Sequence, residues 1–217
     1  MNDSTGTEMK TQRGEDRREK ILRVAEAIIL QKGFSATSIE DIMAGAHITK
    51  GGFFYHFPGK IELARALVER YLEEDAALLN GLAARAAELS EDPLQQWLLF
   101  LNLLAETMEN LEDLHPGCLV ASFTYESGQL DASVKALITE GMLRWRQFFR
   151  SQLDRATASQ PFPESESLDE LADMLSAIIE GGIILSRVFR DKSALPQQIR
   201  QYRNYVRMMF AVEPARG

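Results

Sequence analysis

The 217-residue sequence is poor in the residues that build disulfides, metal sites and membrane spans, with one cysteine and three histidines. A single cysteine excludes an internal disulfide framework and is typical of a protein from a reducing compartment. The histidines and the cysteine form no ligand-spaced cluster, so we expect neither a metal site nor a cofactor. No apolar run approaches the roughly 20 residues of a membrane-spanning helix, and the polar N-terminus is not a signal peptide. We therefore expect a cytoplasmic protein that does not bind membranes.

The motifs of the common enzyme classes are also missing. The sequence contains no G-x-S-x-G elbow, P-loop, H-E-x-x-H motif or dinucleotide fingerprint. Their absence favours a binding function over catalysis. An enzyme, or a helical protein that binds another protein, is the alternative to a DNA-binding regulator. Salt-dependent binding to duplex DNA separates these classes, because only a DNA-binding protein releases counterions from phosphates.

Charge is distributed unevenly along the chain, whose formal net charge is −8. Residues 1–60 contain nine Lys/Arg and eight Asp/Glu, whereas residues 61–217 contain fifteen against twenty-four. A nearly neutral N-terminal part can approach DNA while the acidic remainder faces away from it. The acidic total therefore does not exclude a nucleic-acid partner.

Most of the chain is predicted to be helical, since no strand-like alternation is long enough to indicate a sheet. Pro93 suits the first turn of a helix, and His115-Pro116-Gly117 interrupts the helical pattern. The predicted fold class is all-α, with an N-terminal three-helix domain, a C-terminal helical domain and about nine helices. Beyond Lys60, helices are expected over residues 61–89, 93–110, 118–125, from 131 onward, 168–189 and 195–210, with a loop over 159–167.

Residues 37–57 predict a helix-turn-helix. Thr37 and Glu40 have the spacing of a capping box that starts the first of two short helices. Thr49 is placed to cap the second helix, whose first turn, Lys50-Gly51-Gly52, has almost no side-chain bulk. A slim helix N-terminus with free N–H groups and one lysine suits the floor of a DNA major groove. The pattern therefore indicates a DNA-recognition helix.

The motifs around this element match those of a known family. They are Arg18, Ile21, Leu22, Ala25, Ile28 and Lys32-Gly33-Phe34, then Thr37-Ser38-Ile39-Glu40-Asp41-Ile42, then Thr49-Lys50-Gly51, Phe54-Tyr55-His56-Phe57 and Lys60. With them, the stretch from Arg17 to about Val68 resembles the TetR family of transcriptional repressors. Two positions depart from the family pattern. His47 aligns with the turn glycine and must tolerate a left-handed backbone. Phe54 aligns with the tyrosine that usually contacts a phosphate, which leaves that contact to its neighbour Tyr55 or to none.

The resemblance implies a ligand-responsive repressor that binds a palindromic operator in double-stranded DNA as a homodimer and is released by a small apolar or aromatic molecule. It implies a DNA-binding domain over residues 15–62 and an effector-binding and dimerisation domain over residues 63–217, while residues 1–14 are expected to be a disordered tail. The residues expected at the DNA are Thr37, Ser38, Thr49, Lys50, Gly51, Gly52, Phe54, Tyr55, His56 and Lys60, with Thr37, His56 and Lys60 on phosphates.

The last two predicted helices have the composition of an interface. Residues 175–188 are apolar nearly all round, which favours burial on two sides. Gly181 and Gly182 each cost about 1 kcal/mol against alanine in mid-helix, so a close helix approach is expected there. In the TetR family the corresponding helices form a four-helix dimer interface, and burial within one chain is the alternative. The expected interface residues are Met174, Ile178, Gly182, Leu185, Ile199, Tyr202, Val206 and Met209.

Aromatic residues in the middle of the chain are numerous enough to line an apolar cavity between helices. Ordinary core packing is the alternative for each of them taken singly. Since the resemblance is to ligand-gated repressors, a cavity is expected. Its candidate residues are Trp97, Phe100, Leu101, Leu104, Met108, Cys118, Ser122, Phe123, Trp145, Phe148, Phe149, Ser186 and Phe189.

Cys118 has a second interpretation. It follows Gly117 at a predicted helix start, where free N–H groups lower the pKa of a thiol and raise its reactivity. The Gly117-Cys118-Leu119 run resembles a segment of TetR-like repressors that respond to electrophiles or oxidants. A buried, inert cysteine is the simpler alternative. The sequence thus leaves open a repressor that senses electrophiles through Cys118.

Overall fold

The computed structural model describes residues 4–162 and 166–211, with side chains described from residue 14 onward. Within these ranges it contains nine α-helices, one short 3₁₀ turn and no strand, so the predicted all-α class is confirmed. The helices are α1 (Ser4–Lys32), α2 (Ile39–Ala46), α3 (Lys50–His56), α4 (Lys60–Leu89), α5 (Pro93–Glu109), α6 (Leu119–Tyr125), α7 (Ala132–Ser159), α8 (Leu168–Phe189) and α9 (Ala194–Ala211), with the 3₁₀ turn at Ser127–Gln129. Of the predicted loop over 159–167, residues 163–165 lie outside the described residues.

The N-terminal helix is longer than the sequence analysis predicts. Helix α1 begins at Ser4, so the expected disordered tail over residues 1–14 is wrong from that residue onward. Residues 4–13 contain no proline, and they extend a helix whose later turns are buried at Ile21 and Leu22. Once those turns are packed, each added residue gains a hydrogen bond without a new nucleation cost. Residues 1–3 lie outside the described residues.

The cap of α2 lies one residue later than predicted. Ser38, not Thr37, is the N-cap, and its hydroxyl accepts a hydrogen bond from the Asp41 backbone N–H at 3.0 Å. Asp41 completes the capping box by accepting from the Ser38 N–H at 2.9 Å. Thr37 is only 1% exposed, and its hydroxyl donates to the Gly33 carbonyl oxygen at 2.7 Å. Thr37 therefore closes the turn after α1, and the next hydroxyl caps α2.

The chain forms two compact units. The first unit comprises residues 1–71 and 118–138, and the second comprises residues 72–117 and 139–217. This division differs from the predicted domains, because α6 and the first turns of α7 belong to the same unit as α1, α2 and α3. Phe123 of α6 meets Phe34 edge-on, with ring centroids 5.2 Å apart. Helices α4 and α7 each contribute residues to both units.

The core of the second unit is built by α5, α8 and α9. Gly182 lets α8 and α9 approach closely, because a Cβ at that position would lie 3.0 Å from the Leu195 Cα. The Tyr202 hydroxyl donates to the Leu171 carbonyl at 2.9 Å within this core. Among the residues that the structure describes, every helix is too short or too polar to cross a bilayer.

Candidate nucleic-acid interface and effector cavity

The second helix of the helix-turn-helix, α3, has an open leading edge. Thr49 caps it as predicted, its hydroxyl accepting from the Gly52 N–H at 3.2 Å. Thr49, Lys50 and Gly51 are exposed, and nothing lies within 4 Å of a Cβ built on Gly51. Phe53 is fully buried and anchors the helix from below. The first turn of α3 can therefore approach another surface closely while the helix stays fixed.

The turn before α3 has the left-handed residue that the alignment with the family predicts. His47 has φ 54° and ψ 50°, and its N–H donates to the Ala44 carbonyl. The Ile48 N–H donates to the Met43 carbonyl at 3.1 Å. These bonds close the end of α2 and set the direction in which α3 leaves the turn.

Two concave surfaces lie on opposite sides of α3. The residues alternate with the helical period, so Thr49, Gly52 and His56 line one surface and Lys50 and Phe54 the other. The first, of about 650 Å³, is lined by Gly14, Arg17, Ile21, His47, Ile48, Thr49, Gly52, Tyr55 and His56. The second, of about 440 Å³, is lined by Ser35, Ala36, Thr37, Ser38, Ile39, Glu40, Met43, Lys50, Phe54 and Lys60.

Arg17 is a candidate that the sequence analysis missed. It lies on α1 beside Thr49 and His56, so a cation joins the first concave surface. Adjacent arginines at positions 17 and 18 are the signal that could have identified it. Burial lowers the pKa of His56, and the nearby Arg18 and Arg17 charges lower it further. The free protein thus holds His56 mostly neutral at neutral pH.

The aromatic end of α3 is more exposed than its centre. Tyr55 is 82% exposed, whereas Phe54 is 42% exposed and packs edge-on against Phe53. The Tyr55 ring lies 4.9 Å from the His56 ring. The hydroxyl that Phe54 lacks is therefore present on the adjacent, freely accessible side chain.

Two predicted phosphate contacts have other partners in the structure. Thr37 is buried and bonded to Gly33, so its hydroxyl is withdrawn from the surface. The Lys60 ammonium donates to the Phe34 carbonyl at 2.5 Å and lies 4.2 Å from the centre of the Phe34 ring. Burial lowers the pKa of Lys60. Because both groups hold the turn after α1 instead, the prediction that their side chains contact phosphates is corrected.

The same turn is held by Glu126, a residue that the sequence analysis did not place there. Its carboxylate accepts from the Phe34 N–H at 2.8 Å and from the Ser35 N–H at 2.7 Å. Gly33 makes room, since a Cβ there would lie 2.5 Å from the Glu126 Oε1. Burial raises the pKa of Glu126, but the bonds from Ser35 and Phe34 and the Lys60 charge outweigh it and hold the pKa below its usual value.

The second unit contains a cavity of about 350 Å³ between α4 and α7. Two of the predicted effector residues, Trp145 and Phe148, line it. Asp75 of α4, which the sequence analysis missed, is hydrogen-bonded to Trp145 of α7. Burial raises the pKa of Asp75 to about 6, and that bond opposes the rise. The lining residues are Leu72, Ala76, Leu79, Asn80, Gly141, Arg144, Trp145, Gln147 and Phe148.

Most other predicted effector residues of the second unit belong to its closed core. Trp97 and Phe100 stack with centroids 5.1 Å apart, and Phe149 packs against both. Leu101 and Leu104 are buried in the same unit and Met108 is half-buried. The Ser186 hydroxyl is buried and accepts from the Leu195 N–H at 3.1 Å, whereas Phe189 is exposed. The predicted set is therefore divided between core and surface.

The remaining three, Cys118, Ser122 and Phe123, belong to the first unit. Cys118 is the N-cap of α6, and its sulfur accepts from the Ala121 N–H at 3.4 Å. Its side chain is buried, with 9% of the residue exposed. Phe123 is fully buried against Phe34. Phe123 thus packs α6 against the turn after α1.

The predicted dimer residues on α9 are buried within the single chain. Ile199, Tyr202, Val206 and Met209 are at most 8% exposed, and Gly182 faces Leu195. Assigning these residues to an intermolecular surface was wrong, because the α9 stripe is covered by α5 and α8. Met174 is exposed, and Ile178 and Leu185 are half-exposed. The large apolar residues that α8 and α9 expose are Met174, Ile184, Val188, Phe189, Tyr205 and Met208.

Sequence comparisons identify the family of this architecture. Residues 21–67 match the bacterial regulatory proteins of the tetR family, and residues 94–202 match the tetracyclin repressor-like C-terminal domain. The HTH-type transcriptional regulator YxaF of Bacillus subtilis is 28% identical over 186 residues, covering 85% of this chain and 92% of that protein. The HTH-type transcriptional repressor DhaR of Mycobacterium sp. is 22% identical over 180 residues, covering 83% and 87%.

Solved structures have the same fold. A TetR-family regulator from Agrobacterium tumefaciens superposes with a TM-score of 0.74 at 21% identity, covering 88% of this chain and 98% of that chain. A TetR regulator from Chloroflexus aurantiacus gives a TM-score of 0.74 at 23% identity, covering 91% and 98%. The chain therefore belongs to the TetR family and is a DNA-binding transcriptional regulator, not an enzyme.

Proposed function

We propose that the protein is a dimeric repressor that binds a palindromic operator and leaves it when a small apolar or aromatic molecule binds. The observation on which this rests is the open edge of α3 between two concave surfaces. Lys50 and Gly51 reach base edges in the major groove, since both are exposed on the first turn of α3 and the space around Gly51 is open. Thr49, Tyr55 and His56 bind phosphates of one strand from the first concave surface, together with Arg17. Ser38, Gly52 and Phe54 flank these contacts.

Dimerisation uses the exposed face of α8 and α9. Met174, Ile178, Gly181, Leu185 and Val188 recur at helical spacing on α8, so they form one stripe. Nothing lies within 4 Å of a Cβ built on Gly181, which leaves space for a partner helix. A two-fold axis along this stripe covers exposed apolar side chains and pairs two α3 helices for the two half-sites of a palindrome.

The effector site is the cavity between α4 and α7. Its volume of about 350 Å³ lies in the usual range for small-molecule sites, and Trp145 and Phe148 supply aromatic surface. Helix α4 also contributes Leu63 and Leu67, which are buried in the first unit. A ligand that prefers one position of α4 shifts the population of DNA-competent dimers by its differential affinity for the two states.

DNA selection and titration test the proposal. A duplex enriched by the wild-type protein from a random pool is compared with an unrelated duplex of equal length by fluorescence anisotropy. Lys50→Ala should weaken binding to the enriched duplex more than to the unrelated one, because base contacts specify sequence. Lys135→Ala, which removes an exposed lysine outside the helix-turn-helix, is the matched control. Equal affinity for both duplexes in the wild-type protein would contradict operator binding.

One observation favours a second candidate, release through Cys118. The Cys118 sulfur accepts a backbone N–H at the N-terminus of α6, a position that stabilises a thiolate. Helix α6 ends beside Glu126, whose carboxylate holds the turn after α1. A modified sulfur no longer caps α6, so this short helix is displaced. The displacement moves Glu126 at its end and thereby affects the turn after α1.

A further inference from the structure

Asp75 lies on α4 beside the cavity of the second unit, next to the lining residue Ala76. Leu72 and Leu79, which line this cavity, are three and four positions from Asp75 along the helix. Residues three and four positions apart share one helix face. A half-buried carboxyl group thus lies beside the cavity, hydrogen-bonded to the lining residue Trp145.

Helix α7 supplies the opposite wall. A Cβ on Gly141 would lie 2.5 Å from Leu72 Cδ2, so the two helices are in contact at this glycine. Trp145 and Phe148 follow on the same face of α7, one and two turns further along. The α7 wall of the cavity therefore begins at a glycine in close contact with α4 and continues with two aromatic side chains.

The Asp75 carboxyl has a hydrogen-bond donor, but the part of the chain that the structure describes supplies no cation to it. Trp145 donates a hydrogen bond to it, and no Lys or Arg of the described residues forms an ion pair with it. The one cation lining the cavity, Arg144, is paired with Glu140 at 2.5 Å. A half-buried carboxylate without a counter-charge favours a ligand that brings one.

We propose that this cavity binds a small aromatic amine, with its ammonium group against the Asp75 carboxylate and its ring against Trp145 and Phe148. The cavity volume of about 350 Å³ accommodates a ligand of one or two rings. Both aromatic faces also attract a cation directly. Residues 61–217 carry fifteen Lys/Arg against twenty-four Asp/Glu, so the surrounding field concentrates cations and disfavours anions.

The role of this amine as effector rests on the proposed function, whereas its binding does not. The regulator would sense a cationic aromatic compound and release its operator on binding it. An amine that binds through Asp75 without releasing DNA would leave the chemical class intact and remove the effector role. Failure of the wild-type protein to bind any duplex would remove the proposed function and leave the binding result unaffected.

The test compares two probes of the same shape, naphthylmethylamine and the neutral naphthylmethanol, by isothermal titration calorimetry with the full chain. The amine should bind the wild-type protein about tenfold more tightly than the alcohol, equivalent to one charge-assisted contact. Asp75→Asn should abolish this preference while the alcohol binds as before. Glu73→Gln removes an exposed carboxylate from the same helix and should keep the preference.

A second variant, Trp145→Phe, controls for a structural effect of Asp75→Asn. Trp145→Phe removes the indole N–H that donates to Asp75 but keeps an aromatic wall and the carboxylate, so the preference for the amine should persist. Circular dichroism establishes that each variant is folded. Equal affinities of the two probes for the wild-type protein, a preference that survives in Asp75→Asn, or no binding of either probe would each overturn the proposal.

Discussion

Glu126 and Phe34 are ninety-two residues apart in sequence, and the Glu126 carboxylate accepts a hydrogen bond from the Phe34 N–H at 2.8 Å. The Ser35 N–H donates to the same carboxylate at 2.7 Å. Both amides belong to the turn between α1 and α2, and Lys60 binds the Phe34 carbonyl from α4. The DNA-binding helices are thus fixed to the end of α6 through one turn of backbone.

Replacing this carboxylate should loosen that turn. In Glu126→Gln the amide oxygen can satisfy one N–H, but the amide nitrogen cannot accept the other. We expect a loss of about 1–2 kcal/mol in unfolding free energy, since bonds to a charged acceptor exceed neutral ones. Hydrogen exchange should be faster at the Phe34 and Ser35 amides and unchanged in α9. Glu69→Gln, an exposed carboxylate on α4, is the control, and unaltered exchange in Glu126→Gln would disprove the coupling.

Asp75 should lower stability at neutral pH. Burial raises its folded pKa to about 6 from 3.8, so the folded state binds more protons between these values and stability falls as pH rises through them. Asp75→Asn should therefore raise the unfolding free energy by about 1–3 kcal/mol at neutral pH. The gain should vanish in acid, where both states are protonated. Urea titrations at several pH values measure it, and a gain that does not depend on pH would contradict the assignment.

The sequence predicted local geometry better than it predicted burial. The Thr49 cap follows from neighbouring residues and the left-handed backbone at His47 follows from the family alignment, and both are present. The sequence also predicted that Ile199 and Val206 lie on one apolar face of α9. Periodicity does not indicate whether helices of the same chain or of a partner chain pack on that face. Within the chain, α5 and α8 do so.

Polar contacts between residues far apart in sequence could not be predicted for a related reason. Glu126 follows no capping or charge pattern, and only the fold brings it to the Phe34 amide. The assignment of Lys60 to phosphate followed the family position, but the carbonyl of Phe34 lies within its reach and binds it first. Side chains that bridge distant segments are fixed by tertiary packing, which one sequence does not display.

Val188 should be critical for dimerisation, because it is 69% exposed on the α8 stripe. Val188→Glu introduces a charge that a dimer would have to bury beside its two-fold copy, at a cost of several kcal/mol. Sedimentation velocity should show a monomer, and affinity for the selected duplex should fall. Leu143→Glu alters an exposed leucine of α7 outside this stripe and should remain dimeric. A dimeric Val188→Glu protein would place the interface elsewhere.

Lys60 and Lys50 should differ in how they affect DNA binding. Because the Lys60 ammonium is bound to the Phe34 carbonyl, Lys60→Met should lower stability and leave the salt dependence of DNA affinity nearly unchanged. Lys50 is exposed, and Lys50→Ala should reduce the slope of log affinity against log salt by up to about one unit where that ammonium displaces a counterion. Anisotropy titrations over a salt series measure both slopes. If Lys60→Met reduced the slope and Lys50→Ala did not, Lys60 would contact a phosphate after all.

Cys118 offers a chemical test of coupling through α6, since it is the single cysteine of the chain. N-ethylmaleimide adds a bulky group to the sulfur that caps α6, so the cap to Ala121 is lost and the helix must shift. If the thiol is the trigger, the alkylated wild-type protein should release the selected duplex, whereas treated Cys118→Ser should bind it unchanged, because serine keeps the cap without the reactive sulfur. Release should coincide with faster exchange at Phe34 and Ser35. Full alkylation without release would exclude the thiol as a trigger and leave the cavity between α4 and α7 as the route to induction.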